Sequence, residues 1–198
     1  MEPEIFSRMP ARKGHFKYES GYHGDLWLDL DTVFLRPAEL RPYIVELAQK
    51  LSTHPIDAVC GPMVGGAFLA QMVAAELDLE YFYAERFAPT ARAQTLFPVT
   101  YLLPTGLRNL ASGKTFAIVD DVISAGSAVR GAFTDLKACG ALPTVFGALL
   151  LIGNAIPTFV AEHHLGLEYI GRMEKPLWKP ADCPLCSAGV PLEDLVPC

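Results

Sequence analysis

The chain has 198 residues, 51% of them hydrophobic and 19% charged, enough to bury one sizeable core, and it is read as a single domain over residues 1–198. A net charge of −6 excludes a broad basic face for nucleic acid, because neutralising phosphates takes clustered Lys and Arg, while a small anionic substrate held by a few arginines stays open. No run of about 18 apolar residues exists to span a bilayer, and the opening MEPEIFSRMPARKGHFKYES lacks the apolar stretch of a secretory signal, so a cytoplasmic protein without membrane contact is expected.

Residues 1–13 carry little pattern. HFKYESGYHGDLWLDLDTVFL, residues 15–35, mixes aromatic and β-branched residues around a Ser-Gly turn and predicts irregular strands. A helix is expected within residues 37–51, since proline suits a first turn and Ile44, Leu47 and Leu51 share one face. IDAVCGP, residues 56–62, is a short apolar run stopped by Gly61 and Pro62, and GGAFLAQMVAAEL, residues 65–77, suits a well-buried helix. Residues 79–84 read as a strand, LASGK as a turn, residues 115–119 as a buried strand and residues 126–139 as a helix ended by Gly140. Residues 145–152 form a strongly apolar strand and residues 167–170 a shorter one. Strands alternating with helices at this spacing imply an α/β fold: a mostly parallel, twisted sheet covered by helices on both faces.

FAIVDDVISAGSAVRGA, residues 116–132, places two carboxylates at the carboxyl end of an apolar strand and follows them with small residues that open a helix. Ligands bind at that edge of an open α/β sheet. Ser124, Ala125, Gly126, Ser127 and Ala128 lack bulk, so their backbone N–H groups can close around a phosphate while the helix dipole favours its charge. Asp120 and Asp121 would repel a phosphate, but as acceptors they suit the two adjacent hydroxyls of a ribose. Val122 and Ile123 separate the acids from the small-residue loop, and together the segment fits a ribose 5-phosphate. The bland alternative, a solvated Asp-Asp turn followed by a helix N-cap, does not account for the strand before it and the helix after it.

VDDVISAGSA resembles the phosphoribosyl diphosphate signature of the type I phosphoribosyltransferases, and GHFKYESGYHGDLWLDL, residues 14–30, is similar to the amino-terminal segment of orotate phosphoribosyltransferases. The resemblance implies that family's fold with a small hood. Residues 14–36 would form the base-side hood segment, and residues 181–198 a tail outside the family's general pattern. It implies transfer of a phosphoribosyl group from phosphoribosyl diphosphate to a nitrogenous base, with magnesium accompanying the diphosphate and a dimer as the expected assembly. Asp120 and Asp121 would hold the ribose hydroxyls, Ser124 to Ala128 the 5-phosphate with Val122 and Ile123 also among the substrate-binding residues, and Arg130 the carboxylate of an orotate-like base. GPMVGG, that is Gly61, Pro62, Met63, Val64, Gly65 and Gly66, becomes the loop on the diphosphate, although glycines there would equally serve to pack the helix on its strand. Arg86, closing YFYAER, is assigned to the leaving diphosphate, against the alternative of a surface pair with Glu85. Trp27 is assigned to stacking on the base, against the alternative of a core tryptophan.

Two departures bear on the base. Residues 87–100, FAPTARAQTLFPVT, occupy the place of the hood loop that brings a lysine over the diphosphate in orotate enzymes, and here Arg92 is the only cation. Glu19 stands where those enzymes commonly carry a lysine, and would repel an anionic base if it points inward. A phosphoribosyltransferase for another base therefore stays open, as does a phosphoribosyl diphosphate sensor without catalysis.

Five cysteines, an odd number, with Cys60 and Cys139 inside apolar segments, argue against a disulfide framework. Cys183 and Cys186 stand at the spacing of a zinc knuckle but supply only half of a four-ligand site. Cys198, His163, His164 or the same pair from a second subunit would have to complete it. The reading adopted is a reduced tail packed on the domain, with structural zinc as the alternative.

Overall fold

The structure is a computed structural model that describes residues 4–88 and 96–195. A short 3-10 turn at Glu4–Arg8 leads into an antiparallel hairpin of β1 (Ala11–Lys17) and β2 (His23–Leu28). There follow α1 (Pro37–Leu51), β3 (Ala58–Pro62), α2 (Gly65–Leu77), β4 (Glu80–Phe87), β5 (Thr100–Leu102) and α3 (Thr105–Ala111). The second half runs β6 (Thr115–Ile123), α4 (Ser127–Ala138), β7 (Leu142–Ile152), α5 (Ala155–Glu162) and β8 (Gly166–Met173), then α6 (Pro184–Ser187) and β9 (Glu193–Asp194). Among the described residues no helix is long and apolar enough to cross a membrane.

The main sheet has the order β5-β4-β3-β6-β7-β8, parallel throughout except for the antiparallel edge strand β5. Its two faces follow from strand alternation. Phe116 and Ile118 of β6 point with Cys60 and Phe146 toward α3, α4 and α5, while Ala117 and Val119 point with Val59 toward α1 and α2. The longer helices bury the stripe their periodicity predicts: in α1 this is Leu40, Ile44, Leu47, Ala48 and Leu51. The expected mostly parallel sheet with helices on both faces is what the chain forms.

The boundaries differ in ways that matter for the cleft. β6 does not stop at Val119 but continues through Asp120 and Asp121, because its backbone keeps pairing with β7 as far as Val122 opposite Leu150 and Ile123 opposite Leu151. β4 and β8 also run past their expected ends, to Phe87 and Met173, and β7 begins earlier, at Leu142. The pattern-poor start contributes Ala11–Lys17 to a second, three-stranded sheet of order β2-β1-β9, in which the tail strand β9 lies parallel to β1.

The chain passes from β3 outward to β4 and β5, then returns to β6 on the other side of β3. This reversal sets the carboxyl ends of β3 and β6 side by side and opens a crevice between their loops. The loop after β3 can fold α2 back against its own strand only because position 61 is glycine: a Cβ on Gly61 would stand 1.9 Å from the carbonyl oxygen of Gly66. Gly61→Ala should therefore cost about 2–3 kcal/mol, since backbone must move to admit it. Gly106→Ala, in α3 with nothing within 4 Å of the added carbon, should be neutral or slightly stabilising. Urea melts of the two variants check this, and equal midpoints would refute it.

Candidate active site

A cleft of about 690 Å³ opens at this crevice, walled by the loops after β3 and β6, the β1–β2 hairpin and the segment after β8. Val122, Ser124, Ala125, Gly126, Ser127 and Ala128 line it, whereas Ile123 turns into the core at 1% exposure. Gly126 is the N-cap of α4 with φ +79, and a Cβ there would meet Ile156 Cδ1 at 2.1 Å, so conformation and packing both require glycine. With no side chain at the cap, the first-turn amides of α4 are left for an anion.

Asp120 and Asp121 face the glycine loop of α2. The Asp121 carboxylate is 6% exposed and accepts the Val122 amide at 2.7 Å, and that of Asp120 accepts the Asp121 amide at 3.1 Å. Burial, and then the charge of its neighbour, pushes Asp120 well above the usual carboxylate range, and burial pushes Asp121 up to about 6. Pro62, Met63, Val64 and Gly65 line the cleft, while Gly61 and Gly66 sit beneath it as packing glycines. The packing role thus belongs to Gly61 and Gly66, and Pro62 to Gly65 are the part of the loop open to the cleft.

Glu19, from the turn between β1 and β2, points inward. Its Oε2 accepts Arg86 Nε at 2.7 Å, and its Oε1 accepts the Tyr101 hydroxyl at 2.7 Å and the Ser127 hydroxyl at 3.2 Å. Arg86 lines the cleft with this partner, and the expected alternative pairing with Glu85 does not form. Burial, and then Glu19, raises the Tyr101 phenol above its ordinary value. Neither the Glu19 hub nor Tyr101 was legible beforehand: the three partners come from β4, β5 and the start of α4, and no local pattern joins them.

Arg130 departs from its expected place. It is not among the residues lining the cleft; its Nη2 donates to the Ala155 carbonyl at 3.0 Å and its guanidinium lies 4.5 Å from the Phe159 ring centre and 5.2 Å from that of Phe97. A weakly hydrated, planar cation is at home between two aromatic faces, which accounts for this position behind the loop. Trp27 lines the cleft and packs on Phe16 at 5.8 Å between ring centres. Arg92 lies outside the described residues. Lys175, Pro176 and Leu177, which the sequence did not single out, complete the wall beside the hairpin.

Cys183 and Cys186 lie away from the cleft against His15 and His23. This corrects the expected partners: His163 packs on Phe133 and Phe159, the group of potential ligands around the cysteines contains neither His163 nor His164, and Cys198 lies outside the described residues. Cys60, Cys139, Cys183 and Cys186 are all free thiols.

The sequence profile of the phosphoribosyl transferase domain matches residues 38–164. The chain is 27% identical over 192 residues to the orotate phosphoribosyltransferase of Caldanaerobacter subterraneus subsp. tengcongensis, covering 96% of this chain and 92% of that protein. It is 28% identical over 196 residues to the orotate phosphoribosyltransferase of Thermotoga maritima, covering 98% and 96%. Among solved structures, the orotate phosphoribosyltransferase of Aeropyrum pernix superposes with a TM-score of 0.61 at 17% identity, covering 85% of this chain and 91% of that one. The adenine phosphoribosyl transferase of Trypanosoma brucei gives 0.62 at 15% identity, over 84% and 76%.

The acid pair sets a pH dependence. A carboxyl whose folded pKa lies above its unfolded value keeps its proton longer in the folded state, so stability falls as pH rises from the ordinary carboxylate value through the folded one, about 6 for Asp121. Asp121→Asn should therefore stabilise the ligand-free protein by about 1–3 kcal/mol near pH 8, with the gain shrinking toward pH 4.5. Calorimetric melts across that range check it; a gain that does not change with pH would refute it.

Proposed function

Since the chain belongs to the phosphoribosyltransferase family, with residues 38–164 as the matched segment, we propose that its cleft transfers the phosphoribosyl group of phosphoribosyl diphosphate to orotate and releases diphosphate. The observation that carries this is the convergence of three parts at one sheet edge: the uncapped small-residue loop, the buried acid pair and the glycine loop. A phosphate, a ribose diol and a diphosphate need those three parts in that order. The orotate enzymes to which the chain is 27% and 28% identical over nearly their full lengths support orotate as the base.

In this reading a ring nitrogen of the base bonds to the ribose C1 carbon as the bond from C1 to the diphosphate oxygen breaks, and the bonding electrons leave with the diphosphate. The sugar becomes cationic and the leaving group anionic along the way. Asp120 and Asp121 accept the ribose hydroxyls and fix the ring, while the amides of residues 124–128 hold the 5-phosphate. Met63 to Gly65 offer backbone to the diphosphate, and Arg86 supplies positive charge where the leaving charge grows. Glu19 must then share Arg86 and Ser127 with the incoming phosphates, a competition the inward carboxylate builds into the ligand-free cleft.

Magnesium fits this site: two buried carboxyls held toward protonation by burial suit a cationic complex, and Asp120 and Asp121 would hold it. When bound it neutralises diphosphate charge and keeps several waters. For the base, Trp27 offers a stacking face. Lys175, a cation on the cleft wall 3.7 Å from Asp25, is favoured over the sequestered Arg130 as partner for a carboxylate. Arg92 is assigned to the departing diphosphate from the hood loop. The relatives and the fold support a protein that works without nucleic acid or membrane, and a homodimer is the expected assembly.

Purified protein given magnesium and phosphoribosyl diphosphate should release diphosphate only when orotate is added. Asp120→Asn and Asp121→Asn should each lower kcat by about a hundredfold or more. Lys175→Ala should raise KM for orotate by about tenfold with KM for phosphoribosyl diphosphate unchanged, and Arg130→Ala should have the smaller effect. Tight binding of phosphoribosyl diphosphate without orotate turnover would overturn the assignment of the base, and turnover with adenine instead would replace it.

A further inference from the structure

The cluster of His15, His23, Cys183 and Cys186 stands apart from the reaction, and we propose that it is a structural zinc site fastening the C-terminal tail to the β1–β2 hairpin. His15 lies at the register irregularity of β1 between Lys13 and Phe16, and His23 stands opposite Lys17 on β2; the two imidazoles meet there with ring centres 5.1 Å apart. Cys183 is the N-cap of α6 and Cys186 lies within its single turn, which brings both thiols to the same side.

The four donor atoms lie within 4.8 Å of one another. His15 Nε2 is 3.3 Å from Cys183 Sγ, 3.6 Å from Cys186 Sγ and 3.2 Å from His23 Nδ1, and Cys186 Sγ is 3.3 Å from His23 Nδ1. Around a tetrahedral zinc with ordinary bond lengths, S···N separations are about 3.5 Å and N···N about 3.3 Å. The four separations given lie close to those values, and all six fall within 4.8 Å. The His15 ring is also prepared: its Nδ1 meets the Val190 carbonyl at 2.8 Å, so the proton sits there and the Nε2 lone pair faces the centre. A second hydrogen bond of this kind is how ligating histidines are usually oriented. Two thiolates and two imidazoles in a closed tetrahedron select zinc and leave no position for substrate, which makes the site structural.

The tail needs such a fastening. Between Glu174 and Leu195 the only buried residue is Cys183, at 1% exposure, so the segment brings no core of its own. Its backbone attachments are the pair of His23 with Trp178, at 2.8 and 2.9 Å, and the two residues of β9 on β1, with side-chain contacts such as Lys175 to Asp25, Lys17 to Asp194 and His15 to the Val190 carbonyl beside them. Yet Lys175 to Leu177 form a wall of the cleft. A metal that binds the folded arrangement and not the extended tail adds its binding free energy to that docking.

Protein purified without added chelator should contain about one zinc per chain by mass spectrometry. Cobalt exchanged for it under reducing conditions should show the visible absorption of a tetrahedral site with thiolate ligands. Cys186→Ser and His23→Asn should each lose the zinc, and His163→Asn should keep it. Zinc removal from the unaltered protein should lower the melting temperature by several degrees and expose the tail to protease, both reversed by zinc. Metal-free protein that takes up no cobalt would overturn the proposal whatever the variants do, as would a Cys183–Cys186 disulfide in the isolated protein, which would assign the pair to redox chemistry instead.

Discussion

Gly65 lies against the Asp121 carboxylate and Gly66 against that of Asp120, so closely that a Cβ would stand 2.0 and 2.7 Å from the oxygens. The rest of the cleft depends on this contact. It follows from β3 and β6 being neighbours across the reversal of the sheet, and it presses the start of α2 against the end of the strand that carries the acids. The small-residue loop leaves that same strand a few residues later, so the acid pair, the glycine loop and the small-residue loop are all presented from one edge of the sheet. A site built on strand ends and helix starts loses little entropy when ligand arrives, which suits a reaction whose catalysis is mostly placement.

The same packing creates an electrostatic debt. Asp120, Asp121 and Glu19 share a partly dry space, and burial holds the first two toward their neutral forms. Glu19 takes Arg86, Tyr101 and Ser127 as partners. Within the cleft, Arg86 and the Ser127 hydroxyl are thus already engaged with a protein carboxylate. If phosphates are bound as proposed, they compete with Glu19 for those two partners.

What could be read from the sequence is what lies close together along it. The acid pair and the small-residue loop fall within ten residues of VDDVISAGSA, and the helix stripe of α1 repeats within two turns, so both were visible. The alternation of strands and helices gave the sheet and its covering. Hidden features are joined only in space. Glu19 meets Tyr101 across 82 positions and Ser127 across 108, and Cys183 meets His15 across 168. The extension of β6 through two aspartates was also hidden, because polar residues end an apolar run whether or not the backbone goes on pairing. Arg130 shows the converse: its position in the motif was clear, but the aromatic rings that draw it behind the loop belong to other segments.

The second sheet joins β1, from the first seventeen residues, to β9, at residues 193 and 194. On the ribosome the large sheet has all six strands once Met173 has emerged, and the acid pair and both loops can settle then. The cleft wall that includes Lys175 has to wait for the last segment to emerge and find the first. The nascent chain thus passes through a stage in which the large sheet is complete and the wall carrying Lys175 is not, and synthesis itself orders the assembly of the two.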